Sequence, residues 1–268
     1  MSVLPAESTR RLDSPLARRN PTVKLAVLFV VSGALLFVLD PVTPTVLYLA
    51  AVVAVVASAR IPCRTLARAQ LPFVGFAFGV FVVNVLSRPG EVLWQEGILR
   101  VTVEGIDIGA ALAMRTLLTG FLSVAFVLST DGVALMTSLH QQAGLSVRVT
   151  YAVLAGYRML QQLGAEWSTI RHAQLVRAEY GRRGRPRRPV RRFGAAAFAL
   201  LVGSLRQAER LSQSLESRGL GLSPRTTWRP VVLAWADAVF AAGILACLAL
   251  VLATSAAAGV LEGPGGLF

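Results

Sequence analysis

Five long apolar runs separated by polar segments dominate the chain. They cover residues 23–39, 42–59, 71–86, 106–129 and 231–253. Each run is long enough, or nearly so once tilt and local bilayer thinning are allowed, to cross a hydrocarbon layer of about 30 Å as a helix. Pro41 and Pro44 predict a tight turn between the first two runs, which therefore form a helical hairpin. The pattern predicts an all-α integral membrane protein with about five transmembrane helices.

A different pattern fills residues 130–230, between the fourth and fifth runs. Three stretches there repeat apolar residues at helical spacing and carry polar residues on the opposite face. The first begins at the N-capping residue Asp131, and the third places Phe198, Leu201 and Leu205 on its inward face. Because amphipathic helices bury their apolar faces, we expect these three to pack on one another or on the membrane surface.

Composition supports a membrane protein. Hydrophobic residues make up 54% of the 268 residues and charged residues only 15%, against about 25% in an ordinary soluble domain. The high apolar content excludes a disordered chain, the glycines show no collagen period, and two cysteines exclude a disulfide scaffold. The net charge is +13, and every basic residue except Lys24 is an arginine. A strongly basic part outside the bilayer is therefore expected.

The distribution of these basic residues predicts the orientation, because short loops rich in Lys and Arg stay in the cytoplasm. The N-terminal tail and residues 60–68 are basic, whereas the loops after the first and third runs are not. Nine arginines lie within residues 171–192. A sixth apolar stretch, residues 149–163, would carry this cluster outside if it crossed the membrane, so we predict that it does not cross.

Assigning each loop to the cytoplasmic or the external side gives the expected organisation of the chain. It is a cytoplasmic N-terminal tail at 1–22, four transmembrane helices within 23–129, a cytoplasmic helical segment at 130–230, a fifth transmembrane helix at 231–253 and an external tail at 254–268. The first run is longer than a typical signal-peptide core and no small-residue cleavage site follows it, so we interpret it as an uncleaved span.

Two helix ends in the cytoplasmic segment share one pattern. They read Ala173-Gln174-Leu175-Val176-Arg177-Ala178 and Leu215-Glu216-Ser217-Arg218-Gly219. An arginine in the last turn is favoured by the helix dipole, and a small neighbour lets another surface approach its five-donor head group. Ordinary C-capping by Arg and Gly explains one such end equally well. Two of them on successive helices favour a paired docking device.

At these residues the chain resembles the transmembrane T component of energy-coupling factor (ECF) transporters, the EcfT/CbiQ/BioN family. That family carries two short Ala-Arg-Gly-type motifs at the ends of its coupling helices. Here Val176-Arg177-Ala178, preceded by Ala173-Gln174, is similar to the first motif, with Val and Ala replacing Ala and Gly. Ser217-Arg218-Gly219, preceded by Glu216, is similar to the second. The resemblance covers residues 105–235.

The resemblance implies a function in the bacterial plasma membrane. In such a component Arg177 and Arg218 insert into acidic grooves of two ABC ATPase subunits, which form a homo- or heterodimer. The coupling helices pass the closure of the ATPases to a membrane-embedded S component that binds a vitamin or a cobalt or nickel ion. The resemblance implies a non-enzymatic subunit without a cofactor. The chain contains no Gly-x-x-x-x-Gly-Lys-Ser/Thr sequence with which to bind nucleotide itself.

Other residues are weaker candidates for function. Arg115 lies within the fourth apolar run, where an arginine is expected either to snorkel toward the external head groups or to serve S-component contact or internal packing. Gly75 and Gly79 are spaced for close helix approach, as is Gly109 with a small residue four positions later, and they serve either internal packing or S-component contact. The histidines have no further ligand at metal-binding spacing, so no metal site is expected.

Two other functions compete with transport. One is a membrane-embedded enzyme acting on lipid or isoprenoid phosphates, but such chemistry usually needs metal-holding carboxylate pairs that the sequence lacks. The other is a membrane anchor whose basic loop binds anionic lipids. The arginines at 182–192 are expected to contact anionic lipids whichever of these functions the chain has. Nucleic acid is not an expected partner.

Overall fold

The computed structural model describes residues 14–59, 61–96, 99–177, 189–222 and 230–259. The chain divides into two compact units, residues 1–135 together with 231–268, and residues 136–230. In chain order the elements are α1 (Pro21–Ala34, extended by a 3-10 turn at Leu35–Phe37), α2 (Val42–Ala59), α3 (Cys63–Ser87), β1 (Val92–Glu96), β2 (Leu99–Thr102), α4 (Val103–Ser129), α5 (Gly132–Gln142), α6 (Val147–Val176), α7 (Pro189–Ser217) and α8 (Trp235–Ala257).

The predicted all-α membrane fold is confirmed. Helices α2, α3, α4 and α8 are long and apolar enough to cross a membrane, and the apolar helix Pro21–Phe37 is shorter. Many of their large apolar side chains, such as Phe29, Phe76 and Phe78, are exposed. Such surfaces are stable only in an apolar surrounding, as expected for helices in lipid.

Two elements of the first unit differ from the sequence prediction. Helix α3 begins at Cys63 and continues through Pro72, so Arg64 and Arg68 lie in the helix rather than in a turn. The apolar pattern predicts a start at residue 71 because the first two turns of α3 are polar. The loop after α3 contains an antiparallel hairpin of β1 and β2, which the hydropathy pattern did not predict.

Hydrogen bonds between helices establish which helix ends lie together. At one end of the first unit, Lys24 Nζ donates to Ser129 O over 2.9 Å, and Asn20 N donates to the carboxylate of Asp237 over 2.9 Å. At the other end, Thr43 Oγ1 donates to Ser255 Oγ over 2.7 Å. The start of α1, the end of α4 and the start of α8 therefore share one end of the bundle.

The core of this unit consists of two apolar clusters. One joins the end of α2 to α4, where the rings of Tyr48 and Phe121 meet edge to face with centroids 5.7 Å apart. The other joins α1, α2, α4 and α8 around Leu35, Leu118 and Leu248. The aliphatic and aromatic side chains on the outer surfaces are left for the surrounding hydrocarbon.

Helices α3 and α4 pack closely through glycines of α4. A Cβ atom added at Gly109 would lie 3.2 Å from Phe81 O, and one added at Gly120 would overlap the ring of Phe73. Gln70 Nε2 of α3 also donates to Leu117 O of α4 over 2.9 Å. Small residues at these positions let the two antiparallel helices approach, as is common in membranes.

We predict that Gly120→Ala destabilises the protein by about 1–3 kcal/mol, because the added methyl group forces the Phe73 ring or the helices apart. The matched control is Gly79→Ala on α3, where an added Cβ meets no atom within 4 Å. Denaturant or thermal unfolding in detergent micelles measures both variants. Equal stability of Gly120→Ala and Gly79→Ala would contradict the close packing of α3 on α4.

Candidate functional site

The second unit is built on an antiparallel pair of long helices, α6 and α7. The rings of Trp167 and Phe193 meet edge to face with centroids 5.3 Å apart. Further along the pair, Gln207 Nε2 donates to Gln162 Oε1 over 2.9 Å. The end of α6 therefore lies beside the start of α7.

Three large apolar residues in the middle of α7 do not face α6. Phe198, Leu201 and Leu205 are 67%, 54% and 56% exposed, whereas Ala196 is only 2% exposed. The expected packing of these residues on a neighbouring helix of this unit is therefore wrong, whereas their packing on the membrane surface stays a prediction. Small side chains such as Ala196 let α7 approach α6 closely, so the larger apolar side chains lie on the opposite face.

Arg177 is the C-cap residue of α6, and its backbone N–H donates to Leu175 O. The side chain that caps this helix end belongs to Arg192 of α7. Its Nη2 donates to Gln174 O over 2.6 Å. The guanidinium of Arg177 is exposed and makes no hydrogen bond to the described residues. Its side chain is therefore not needed to cap α6.

Arg218 is the C-cap residue of α7. Gly219, with φ of 79°, follows it, and the backbone N–H groups of Gly219 and Leu220 donate to Glu216 O and Leu215 O over 2.9 and 3.0 Å. These two bonds form a Schellman cap, which satisfies the last carbonyls with backbone atoms alone. Within the part of the chain that the structure covers, the exposed guanidinium of Arg218 has no hydrogen-bond partner either.

The two motif arginines lie at opposite ends of the α6–α7 pair. Arg177 lies at the end bonded to Arg192, while at the other end a Cβ added at Gly221 would be 3.5 Å from Arg148 Nε, near the start of α6. Helix α7 has 29 residues and is about 43 Å long at 1.5 Å per residue. The two arginines are therefore too far apart to bind one small groove together.

The residues that precede the two motif arginines, Ala173, Gln174 and Glu216, have different contacts. Gln174 has an amide orientation that donates to Arg192 O and accepts from Ala196 N, both at 3.0 Å, so it fixes α6 to α7. Glu216 accepts from Ser212 Oγ at 3.3 Å within α7, and Ala173 is exposed. Ala178 and residues 182–188 lie outside the described residues.

Sequence reasoning missed the role of Arg192. It grouped Arg191 and Arg192 with the basic loop, but α7 begins at Pro189 and includes both. The signal was present, since proline favours the first turn of a helix. Beside Arg192, a cavity of about 400 Å³ is lined by Trp167, Arg171 and Phe193, next to the end of α6.

The remaining candidates lie in the first unit. Arg115 Nη2 donates to Val38 O over 2.5 Å, linking the middle of α4 to the segment after α1. Gly109 contacts α3 closely, whereas Gly75 and Gly79 are exposed on α3 with no atom within 4 Å of an added Cβ. Within the chain, close packing thus involves Gly109 but not the other two glycines.

Comparisons with known proteins place this arrangement in a family. The model of the CbiQ family, described as cobalt transport protein, matches residues 13–228. The energy-coupling factor transporter transmembrane protein EcfT of Heliobacterium modesticaldum is 30% identical over 88% of this chain and 94% of its own length. The EcfT of Acidaminococcus fermentans is 26% identical over 89% of this chain and 91% of its own length.

A third relative has a different name and a greater length. A putative ABC transporter ATP-binding protein of Bifidobacterium longum is 28% identical over 90% of this chain, which corresponds to 32% of that protein. The family match spans most of the chain, and the relatives named EcfT align over nearly their whole lengths. This multi-pass membrane protein belongs to the CbiQ cobalt transport protein family and is related to the transmembrane components of energy-coupling factor transporters.

Proposed function

We propose that the chain is the coupling subunit of an ECF-type ABC importer. It links ATP hydrolysis by two ABC ATPase subunits to the uptake of a vitamin or transition-metal ion through an S component. The relatives named as transmembrane components of such transporters support this role. So does the longer relative named as an ATP-binding protein, in which a segment similar to this chain is part of the same polypeptide.

The observation that carries the proposal is the pair of exposed guanidiniums at the two C-caps. Both are exposed and bond to none of the described residues, and the helix ends are capped by other groups. A guanidinium can pair with a carboxylate through two parallel hydrogen bonds, which fixes orientation as well as position. Arg177 and Arg218 are therefore suited to bind acidic grooves on partner subunits.

The distance between Arg177 and Arg218 suggests how closure of the ATPase subunits acts on this chain. Because about 40 Å of helix lies between them, we assign one arginine to each ATPase subunit. Closure of the two subunits would then act on opposite ends of the α6–α7 pair. Packed helices move as rigid bodies, and interfaces between them are more easily shifted than the helices are deformed.

The orientation we propose places the second unit and the N-terminus in the cytoplasm. The start of α1, the end of α4 and the start of α8 share one end of the first unit, and the segment carrying both arginine motifs connects α4 to α8. The basic residues next to these ends favour the cytoplasmic side. This side of a bacterial plasma membrane is where ATP-hydrolysing partners would be reached.

The exposed face of α3 around Gly75 and Gly79 is the part of the first unit that we assign to the S component. No atom of the described residues occupies the space where Cβ atoms would project from these two glycines. Small residues on a lipid-facing surface let another membrane helix approach closely. Arg115 is assigned to internal support of α4 instead, since it bonds to Val38.

We predict that Arg177→Glu combined with Arg218→Glu abolishes substrate uptake and copurification of the ATPase pair, because like charges would face the acidic grooves. Membrane insertion should be unchanged. The matched control is Arg206→Glu, an exposed arginine in the middle of α7. Copurification from detergent-solubilised membranes measures the result. Undiminished ATPase association in the double variant would contradict the coupling role.

The cap that presents Arg218 can be tested separately. Gly219→Ala puts a Cβ on a residue with φ of 79°, which costs roughly 1 kcal/mol and disturbs the Schellman cap. We expect weaker ATPase association, measured by the same copurification. Gly203→Ala, within α7 and with no atom near its added Cβ, should keep association at the original level. Equal association in both variants would show that the cap geometry is unimportant.

The orientation predicts a labelling pattern. In a variant with Cys63 and Cys247 replaced by serine, a cysteine placed at residue 185 should be protected from a membrane-impermeant maleimide in intact cells. A cysteine placed at residue 97, between β1 and β2 in the sequence, should react. Reaction at 185 in sealed cells would overturn the proposed orientation.

A further inference from the structure

A cavity of about 300 Å³ lies within the first unit between α1, α2, α4 and α8. Most of its lining is aliphatic, including Val27, Val31, Leu47, Leu118 and Leu248. Its volume is at the lower end of the range of about 300–1,000 Å³ that is usual for small-molecule sites. Arg177 and Arg218 are not among its lining residues.

One charged side chain lines the cavity. Lys24 is only 6% exposed and its Nζ donates to Ser129 O over 2.9 Å. An ammonium group has three N–H donors, and the two others have no hydrogen-bond partner among the described residues. A buried cation with unused donors is costly unless a counter-charge and acceptors are supplied.

Asp237, the acidic neighbour of Lys24, does not accept a hydrogen bond from its ammonium group. Asp237 interacts electrostatically with Lys24, but no ion pair within 4 Å joins the two in the described part of the chain. The Asp237 carboxylate instead accepts from Asn20 N at 2.9 Å and from Ala234 N at 3.0 Å. Asp237 therefore tethers the starts of α1 and α8, and Lys24 remains a lining residue of the cavity.

The polar groups of the cavity lie together at one end. Lys24, Ser58 and Ser129 belong to the start of α1 and to the ends of α2 and α4, which meet at one end of the bundle. From Lys24 to Val31 the lining continues along α1 for seven residues, or about 10 Å, toward the middle of the bundle. The cavity is thus polar and cationic at the membrane surface and apolar in its depth.

We propose that this cavity binds an anionic phospholipid, with one acyl chain between α1, α2, α4 and α8 and a phosphate oxygen accepting from Lys24 Nζ. The acyl chain fills apolar space that water would occupy unfavourably. The phosphate supplies the charge and the acceptors that the buried ammonium lacks. A zwitterionic lipid offers the same chain but carries a cation beside its phosphate, so the site selects anionic head groups.

The proposal can be tested on the purified chain. It is reconstituted in nanodiscs of equal parts phosphatidylglycerol and phosphatidylcholine with identical acyl chains, and the lipids retained after transfer to mild detergent are measured by native mass spectrometry. The unaltered chain should retain phosphatidylglycerol about tenfold over phosphatidylcholine, a ratio that corresponds to about 1.4 kcal/mol. Lys24→Gln should remove this preference. Arg64→Gln, at an exposed arginine of α3, should not.

A second pair of variants keeps the test informative if Lys24→Gln does not fold. Gly243 of α8 lines the cavity, and no atom lies within 4 Å of an added Cβ, so Gly243→Leu fills the space without a backbone clash. This variant should retain about tenfold less phosphatidylglycerol, again about 1.4 kcal/mol. Gly33→Leu on α1, also open to an added Cβ but outside the cavity, should behave as the unaltered chain does.

Three results would overturn the proposal. Equal retention of the two lipids by the unaltered chain would show that the cavity does not select anions. Release of phosphatidylglycerol by millimolar inorganic phosphate would indicate a site for free phosphate. Unchanged retention of phosphatidylglycerol by Gly243→Leu would show that the lipid does not occupy this cavity.

Discussion

The buried contact of Lys24 with Ser129 holds together the helix ends of the first unit from which the second unit's segment departs. It brings the start of α1 to the end of α4, and the bond from Asn20 to Asp237 adds the start of α8. Polar atoms buried among apolar helices must find partners, so these bonds leave little freedom in the arrangement of the helix ends. The chain consequently leaves and re-enters the membrane unit at one end, and the segment between α4 and α8 carries both arginine motifs.

In the second unit, the contacts that hold the helix ends do not involve the exposed side chains of Arg177 and Arg218. Arg192 and Gln174 join the end of α6 to α7, and backbone atoms cap the end of α7. Neither Arg177 nor Arg218 is needed for these contacts. Among the described residues, no other contact depends on their side chains, which suits the coupling role proposed for them.

Much of this architecture could be predicted from sequence. Apolar runs located the membrane helices because hydrocarbon burial acts on every residue of a span. The helix ends at Arg177 and Arg218 were visible because small residues and glycine accompany them. The polar start of α3 was not visible, since its stability comes from packing and helical hydrogen bonds rather than hydropathy. The outward direction of Phe198 and Leu201 and the capping by Arg192 depend on how α6 and α7 pair, which periodicity alone does not specify.

The central claim is that the two helix ends contact two ATPase subunits separately. Photocrosslinking in the assembled transporter tests it most directly, with a photoreactive amino acid placed at position 177, 218 or 206. The account predicts that positions 177 and 218 each form an adduct with an ATPase subunit, while position 206 forms markedly less. Strong adducts from 206, or none from 177 and 218 in a transporter that hydrolyses ATP and imports its substrate, would contradict it.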